Sequence, residues 1–261
     1  MQEIGSERRP GKADLHVHTS FSDGMAEARE LLDHVESQTD LDVLAITDHD
    51  DIAGAWKARE VWAKGRYRFD FVVGVEVTAI EGHLLALFVE DPVPNLCPLD
   101  RVLEEVHRQG GLCVIPHPLG WLTRSLDRKT MQRIAAAPRD LIHFDGIETA
   151  SRSPAARVGQ RRARVLNRSH LRLAEVGGSD AHFLSVIGSA HTEFEGRTAA
   201  DLRQGVLSRT TRGVNGHHPT LAEIGVAQVL RQTWRGMMTT PRRMGWGPTA
   251  ASFVRRIFNL G

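Results

Sequence analysis

The chain has 261 residues, 41% of them hydrophobic and 25% charged, with a formal net charge of +1. That length buries a full core without staples, and the composition excludes a disordered tail, a fibre or a mini-scaffold. Two cysteines, Cys97 and Cys113, exclude a disulfide framework, and the balanced charge offers no global field for nucleic acid. No apolar run nears the roughly 20 residues needed to cross a bilayer, and the polar start MQEIGSERRPGK has no apolar signal core. A cytoplasmic protein without stable membrane insertion is therefore expected.

Short apolar runs alternate with amphipathic stretches. Strands are predicted over 13–19, 42–47, 71–77, 83–89, 112–116, 144–149 and 171–177. Helices are predicted over 26–38, 52–64, 98–109, 130–136, 155–169 and 198–208. In the third helix Leu99, Val102, Leu103 and Val106 share a face, Pro98 stands near its start, and Gly110 and Gly111 end it. Strands alternating with helices imply βαβ units and a mostly parallel sheet. No repeat or linker interrupts the chain before about residue 215. After Glu223 no acidic residue remains, while Arg231, Arg235, Arg242, Arg243, Arg255 and Arg256 interleave with Trp234, Met237, Met238, Trp246, Phe253 and Phe258. Residues 12–215 are thus read as one domain and 216–261 as a basic, apolar C-terminal extension. Gly236, Pro241, Gly245, Gly247 and Pro248 argue against a continuous helical stripe there.

Potential metal ligands concentrate at the ends of the apolar runs. In ADLHVHTSFSDG, residues two apart in a strand share a face, so His16 and His18 can hold one cation, and Asp23 follows in a Ser-Asp-Gly turn. LDVLAITDHDD closes on Asp48, His49, Asp50 and Asp51. His49 is a candidate ligand, Asp48 a partner orienting an imidazole, and one of Asp50 and Asp51 an N-cap. Glu76 lies among valines in FVVGVEVTA, where a carboxylate needs a cation or strong donors. His83 opens HLLALFV, His117 sits between two prolines, GIETAS offers Glu148, and VGGSDAH offers Asp180 and His182. Strand ends form the functional rim of parallel α/β folds. Imidazole and carboxylate without thiolate suit Mn²⁺, Zn²⁺ or Fe²⁺.

HVHTSFSDG, AITDHD, GVE, the Pro-His-Pro tripeptide at 116–118 and GGSDAH, in that order, resemble the motifs of the polymerase and histidinol phosphatase (PHP) superfamily. The resemblance covers roughly residues 12–215. It implies a distorted (β/α)₇ barrel with two or three divalent metal ions at its C-terminal rim. By motif matching, His16 and His18 bind one ion with Glu76 and Asp180. Glu76 bridges to a second ion held by His83 and His117, and Asp23, His49 and His182 hold a third. An aspartate at position 23, where some members carry histidine, resembles the small phosphoesterases active on nucleotides or RNA ends.

The expected activity is metal-dependent phosphoesterase chemistry, with Glu76 central and Asp48 assisting proton transfer. Arg124 and Arg152, on rim loops, are candidate partners for substrate phosphate. The expected substrate is a nucleotide, a nucleic-acid end or a small phosphorylated metabolite. A histidinol-phosphatase-like monoesterase and a catalytically silent metal-binding module remain as alternatives.

Overall fold

The computed structural model describes residues 9–120, 123–137, 140–217 and 219–243. The elements in chain order are β1 (Gly11–Asp14), α1 (Ala28–Gln38), β2 (Val43–Ile46), α2 (Ala53–Lys64), β3 (Asp70–Thr78), β4 (His83–Leu87), α3 (Leu99–Arg108) and β5 (Leu112–Ile115). There follow α4 (Arg128–Ala136), β6 (Gly146–Ala150), α5 (Pro154–Leu166), β7 (Ala174–Gly177), β8 (Ala190–Phe194), α6 (Ala199–Ser208), β9 (Arg212–Asn215), α7 (Leu221–Ile224) and α8 (Val226–Arg243).

The strands form one sheet ordered β7-β6-β5-β4-β3-β2-β1-β8-β9. Its two ends come together. Thr192 Oγ1 accepts from the Gly177 amide and donates to the Gly177 carbonyl, both at 2.9 Å, and Thr211 Oγ1 donates to the Glu175 carbonyl at 2.9 Å. Gly213 lies so close to the Val176 carbonyl that any side chain there would strike backbone. The result is a nearly closed α/β barrel.

Both faces of the central strands β2 and β5 are buried, which accounts for their uninterrupted apolar character. Alternate residues divide between two layers. Val43, Ala45, Leu112 and Val114 join an inner cluster, while Leu44, Ile46, Cys113 and Ile115 join the outer layer under the helices. Leu202 and Val206 of α6 belong to the inner cluster, with Ala13, Val43 and Leu112 near the strand starts. Helix α6 therefore closes the N-terminal end of the barrel. It is pinned there by the Ala199 amide donating to Asp70 Oδ2 at 2.8 Å and by a capping box between Thr198 and Asp201.

The expected mostly parallel sheet is corrected to a mixed one, with four parallel and four antiparallel pairings. The four residues between β3 and β4 are too few for a crossover, so these strands form a hairpin. Strands β8 and β9 escaped the sequence pattern because AHTEF and RGVN are short and partly polar. The predicted first strand ends early, at Asp14. The strand predicted from 171 begins at Ala174, after a π-helical turn over Asn167–Leu171 that Arg172 ends with a left-handed backbone, φ 53°.

At two of the positions expected to interrupt the extension, Gly236 and Pro241, α8 runs on without a break. Trp246, Phe253, Phe258, Arg255, Arg256, Gly245, Gly247 and Pro248 lie outside the described residues. No helix among the described residues is long and apolar enough to cross a membrane.

Truncating the plug tests this division of the core. Leu202→Ala should cost about 2–5 kcal/mol of stability, the usual range for a buried leucine. Equilibrium urea unfolding would read it, and a loss below about 1 kcal/mol would place α6 outside the core.

Candidate metal centre

Beyond Asp14 the chain stays extended. Val17 bridges to Ala181, His18 donates its amide to the Ala181 carbonyl at 2.9 Å, and the Ala181 amide donates to the His16 carbonyl at 3.2 Å. This pairing puts His16 and His18 on one face and brings Asp180 and His182 beside them. A second bridge joins His49 to Glu76. Every ligand expected from sequence arrives at this one rim: His16, His18, Asp23, His49, Glu76, His83, His117, Asp180 and His182.

Glu76 is at the centre. Its Oε1 lies 2.8 Å from His83 Nδ1 and 2.9 Å from His117 Nε2. Its Oε2 lies 3.2 Å from His16 Nε2, 3.2 Å from His49 Nδ1 and 3.4 Å from His18 Nε2. Asp180 Oδ1 stands 3.4 Å from His18 Nε2 and 3.5 Å from His16 Nε2. Asp23 Oδ2 stands 3.1 Å from His182 Nε2, and Asp23 Oδ1 stands 3.8 Å from His18 Nδ1 and 3.9 Å from His49 Nε2.

The donor set fits divalent cations. Both ring nitrogens of His18 and Nδ1 of His49 are buried without a hydrogen-bond partner, an arrangement that is costly in an ordinary core. Grouped by ligand-atom proximity, the residues form overlapping sets: His18, Asp23, His49 and His182; His16, His18 and Asp180; His16, Glu76 and His117; His49, Glu76 and His83.

The charges are strongly coupled. Burial alone would neutralise Glu76, yet His49, His83 and His16 hold it well below the usual carboxylate range. Burial works against a charged His182, but Asp23 raises it to about 10. Against the same penalty, Asp180, Glu76 and Glu148 raise His16. Burial, His182 and His49 push His18 down to about 4, leaving it neutral and able to donate a lone pair. Cation binding would expel the protons shared across this cluster.

A layer of polar residues behind the ligands sets their positions. Glu148 on β6 faces His16 Nδ1 at 2.9 Å with one oxygen and accepts the His117 amide at 2.7 Å with the other. Such a carboxylate fixes the imidazole tautomer that leaves Nε2 free for a metal. Asp14 accepts the Ser179 amide at 2.9 Å and the Gly188 amide at 2.8 Å, anchoring the loop that carries Asp180, and burial raises it to about 6. Gly178 allows this crowding, because a Cβ there would lie 2.6 Å from Glu148 Oε1 and 2.7 Å from the His16 Cβ. Two of the candidate ligands, His117 with φ 31° and Asp180 with φ 55°, hold backbone conformations that L side chains seldom adopt.

Asp48 does not make the contact to an imidazole that the sequence led us to expect. Its oxygens accept the amide and hydroxyl of Thr19, at 2.8 and 2.6 Å, and the Ser22 amide and hydroxyl. These bonds shape the turn leading to Asp23, so the carboxylate is committed to Thr19 and Ser22 and not to orienting an imidazole. Asp51 accepts the Ala53 amide at 2.9 Å at the start of α2, while Asp50 binds the amide and hydroxyl of Thr78. Arg124 Nη2 donates to the carbonyls of Ala79 and Ile80, at 3.2 and 3.1 Å, and so holds the loop after β3. Arg152 follows β6 and has a buried Nε without a hydrogen-bond partner.

The sequence offered Glu148 only as a potential metal ligand, and Asp14, Thr19 and Ser22 carried no assigned role. Asp14 closes a strand just before HVH, and that adjacency was the available signal. Sequence reasoning also missed that α8 reaches this rim. Gln232 Nε2 lies 3.5 Å from Asp23 Oδ2, Arg235 donates to the carbonyls of Ser20 and Ser22, and a Cβ at Gly236 would sit 3.3 Å from Asp23 Oδ2.

Comparison with known proteins agrees with this architecture. The PHP-associated family model matches residues 161–211. An uncharacterized protein of Methanocaldococcus jannaschii is 30% identical over 126 residues, 44% of this chain and 72% of that protein. The phosphoribosyl 1,2-cyclic phosphate 1,2-diphosphodiesterase of Eggerthella lenta is 37% identical over 101 residues, 36% of this chain and 37% of the relative. The 5'-3' exoribonuclease Rnm of Escherichia coli is 34% identical over 88 residues, 32% of this chain and 30% of the relative. Among solved structures, a two-domain protein from Bacteroides vulgatus containing a predicted PHP-like metal-dependent phosphoesterase shares the fold, with a TM-score of 0.58 and 19% identity over 88% of this chain and 75% of that one. With a PHP-associated segment matched at residues 161–211 and the candidate ligands drawn in motif order onto one rim, the chain belongs to the PHP superfamily.

Proposed function

We propose that the rim hydrolyses phosphate esters with two or three divalent cations, acting on a nucleotide, an oligonucleotide end or a small phosphorylated metabolite. The observation that carries this reading is the buried Glu76 carboxylate, which offers one oxygen to His83 and His117 and the other to His16, His18 and His49. In this reading His16, His18, Glu76 and Asp180 hold one ion, Glu76, His83 and His117 a second, and Asp23, His49 and His182 a third. Mn²⁺, Zn²⁺ and Fe²⁺ all suit such ligands. Bound cations supply neutralisation of the ester oxygens and a water acidic enough to react near neutral pH.

The chain's own residues orient and bind. Glu148 and Asp14 keep His16, His117 and the Asp180 loop in place. Arg152, with its unpartnered Nε, is assigned to a substrate phosphate oxygen. Residues 12–215 form the catalytic unit, and the extension contributes α8 as a wall beside Asp23. A relative named for a diphosphodiesterase activity and another named as an exoribonuclease support hydrolysis of phosphate esters and, for the second, action on a nucleic-acid end.

Three measurements test this. Protein prepared without chelator should carry two or three transition-metal ions per chain by elemental analysis. Fewer than one, not restored by added Mn²⁺ or Zn²⁺, would remove the basis of the reading. With Mn²⁺ present, Glu76→Gln should lower kcat on p-nitrophenyl phosphate or its bis ester by more than about 100-fold, about 2.7 kcal/mol in the barrier, with an unchanged circular dichroism spectrum. Near-native turnover in this variant contradicts the central role of Glu76. Glu148→Gln removes one of two acceptors that position His16 and His117. Its metal affinity, read by competitive chelator titration, should fall about 10- to 100-fold, and unchanged affinity would reduce Glu148 to a packing residue.

A further inference from the structure

A second cluster of imidazole and carboxylate lies at the other end of the barrel. His107 occupies the last turn of α3, and His143 and Asp145 stand just before β6. His107 Nδ1 donates to the Leu141 carbonyl at 2.8 Å, and its Nε2 lies 3.0 Å from Asp145 Oδ2. His143 Nε2 lies 3.4 Å from Asp145 Oδ1. The two rings stack at a centroid distance of 4.0 Å and an interplanar angle of 13°. One ligand atom from each of the three residues falls within 4.8 Å of the others.

We propose that His107, His143 and Asp145 form a separate divalent-cation site, suited to Zn²⁺, that clips the end of α3 to the start of β6. The tautomer argument comes first. With Nδ1 of His107 donating to a backbone carbonyl, Nε2 is the nitrogen that faces the carboxylate, and a cation between them would replace the proton they share. Asp145 is fixed as well, because its Oδ2 also accepts the Cys113 amide at 2.7 Å. Two ligands are thus buried and preset, with His107 and Asp145 side chains 8% and 6% exposed, while His143 is 47% exposed and free to adjust to the ion. Two imidazole nitrogens and a carboxylate oxygen are donor types that zinc accepts.

The position separates this site from the catalytic rim. Strands β5 and β6 run parallel, His117 and Glu148 lie toward their C-terminal ends, and Cys113 and Asp145 lie at their starts. That end of a barrel serves stability more than chemistry. The role assigned is structural, and it stands independently of the phosphoesterase reading.

The test counts zinc. Wild type, His143→Ala and His143→Cys are stripped with chelator, reloaded with excess Zn²⁺, desalted and analysed for metal per chain. His143→Ala should hold one zinc equivalent fewer than wild type, and His143→Cys, which returns a zinc ligand at the same place, should regain it. Turnover on the small ester should stay within twofold in all three proteins, because none of the catalytic ligands is touched. Equal zinc content in wild type and His143→Ala would overturn the site, whether or not the protein hydrolyses phosphate esters.

Discussion

One buried carboxylate organises this protein. Glu76 is placed by an otherwise apolar strand inside the barrel mouth, with five imidazoles, those of His16, His18, His49, His83 and His117, within 3.4 Å of its two oxygens. A lone carboxylate in such a setting would be expelled or protonated. Here its charge is retained because the histidines surround it, and the histidines in turn are held at this density by a negative charge. Each half favours the charge of the other, and a divalent cation would satisfy both.

The rest of the rim is built to keep that cluster from relaxing. Left to themselves, side chains this close would rotate apart, so polar groups behind them remove the freedom to do so. Glu148 spans from His16 to the His117 amide, Asp48 ties Thr19 to Ser22, and Asp14 ties Ser179 to Gly188. The unusual backbone at His117 and Asp180 belongs to the same design. Local strain of about 1–3 kcal/mol at such a residue persists only where surrounding bonds over-determine it. At the opposite end α6 seals the barrel with Leu202 and Val206, so the open end is the one lined by ligands.

Helix α8 links the extension to the chemistry. Its composition suggested a basic, apolar tail set apart from the domain, yet Gln232, Arg235 and Gly236 meet the turn from Ser20 to Asp23. Gly236 reads as a helix breaker in isolation. In place, its missing side chain leaves room beside Asp23, where a Cβ would make a tight contact at 3.3 Å.

Much of the site was legible in the chain alone. Histidines two apart at a strand end, Glu76 among valines and the Pro-His-Pro turn each carry a local signal, because burying such groups is costly wherever the strand goes. Their order along the chain pointed to the superfamily and marked the candidate ligands that the fold then gathers at one rim. What lay beyond local reading depended on partners far apart in sequence. Asp48 differs from a ligand only through its bonds to Thr19 and Ser22, and Glu148 acquires its role by meeting His16 across 132 residues. Strands β8 and β9 are held by pairing with β1 and with each other and carry little pattern of their own. Which residues had to be chemically special was therefore set by the sequence by itself, through the cost of burying them. Which atom faces which, and that α8 returns to the rim, was decided only by tertiary structure, because hydrogen bonds and close packing between distant segments depend on geometry that no local window contains.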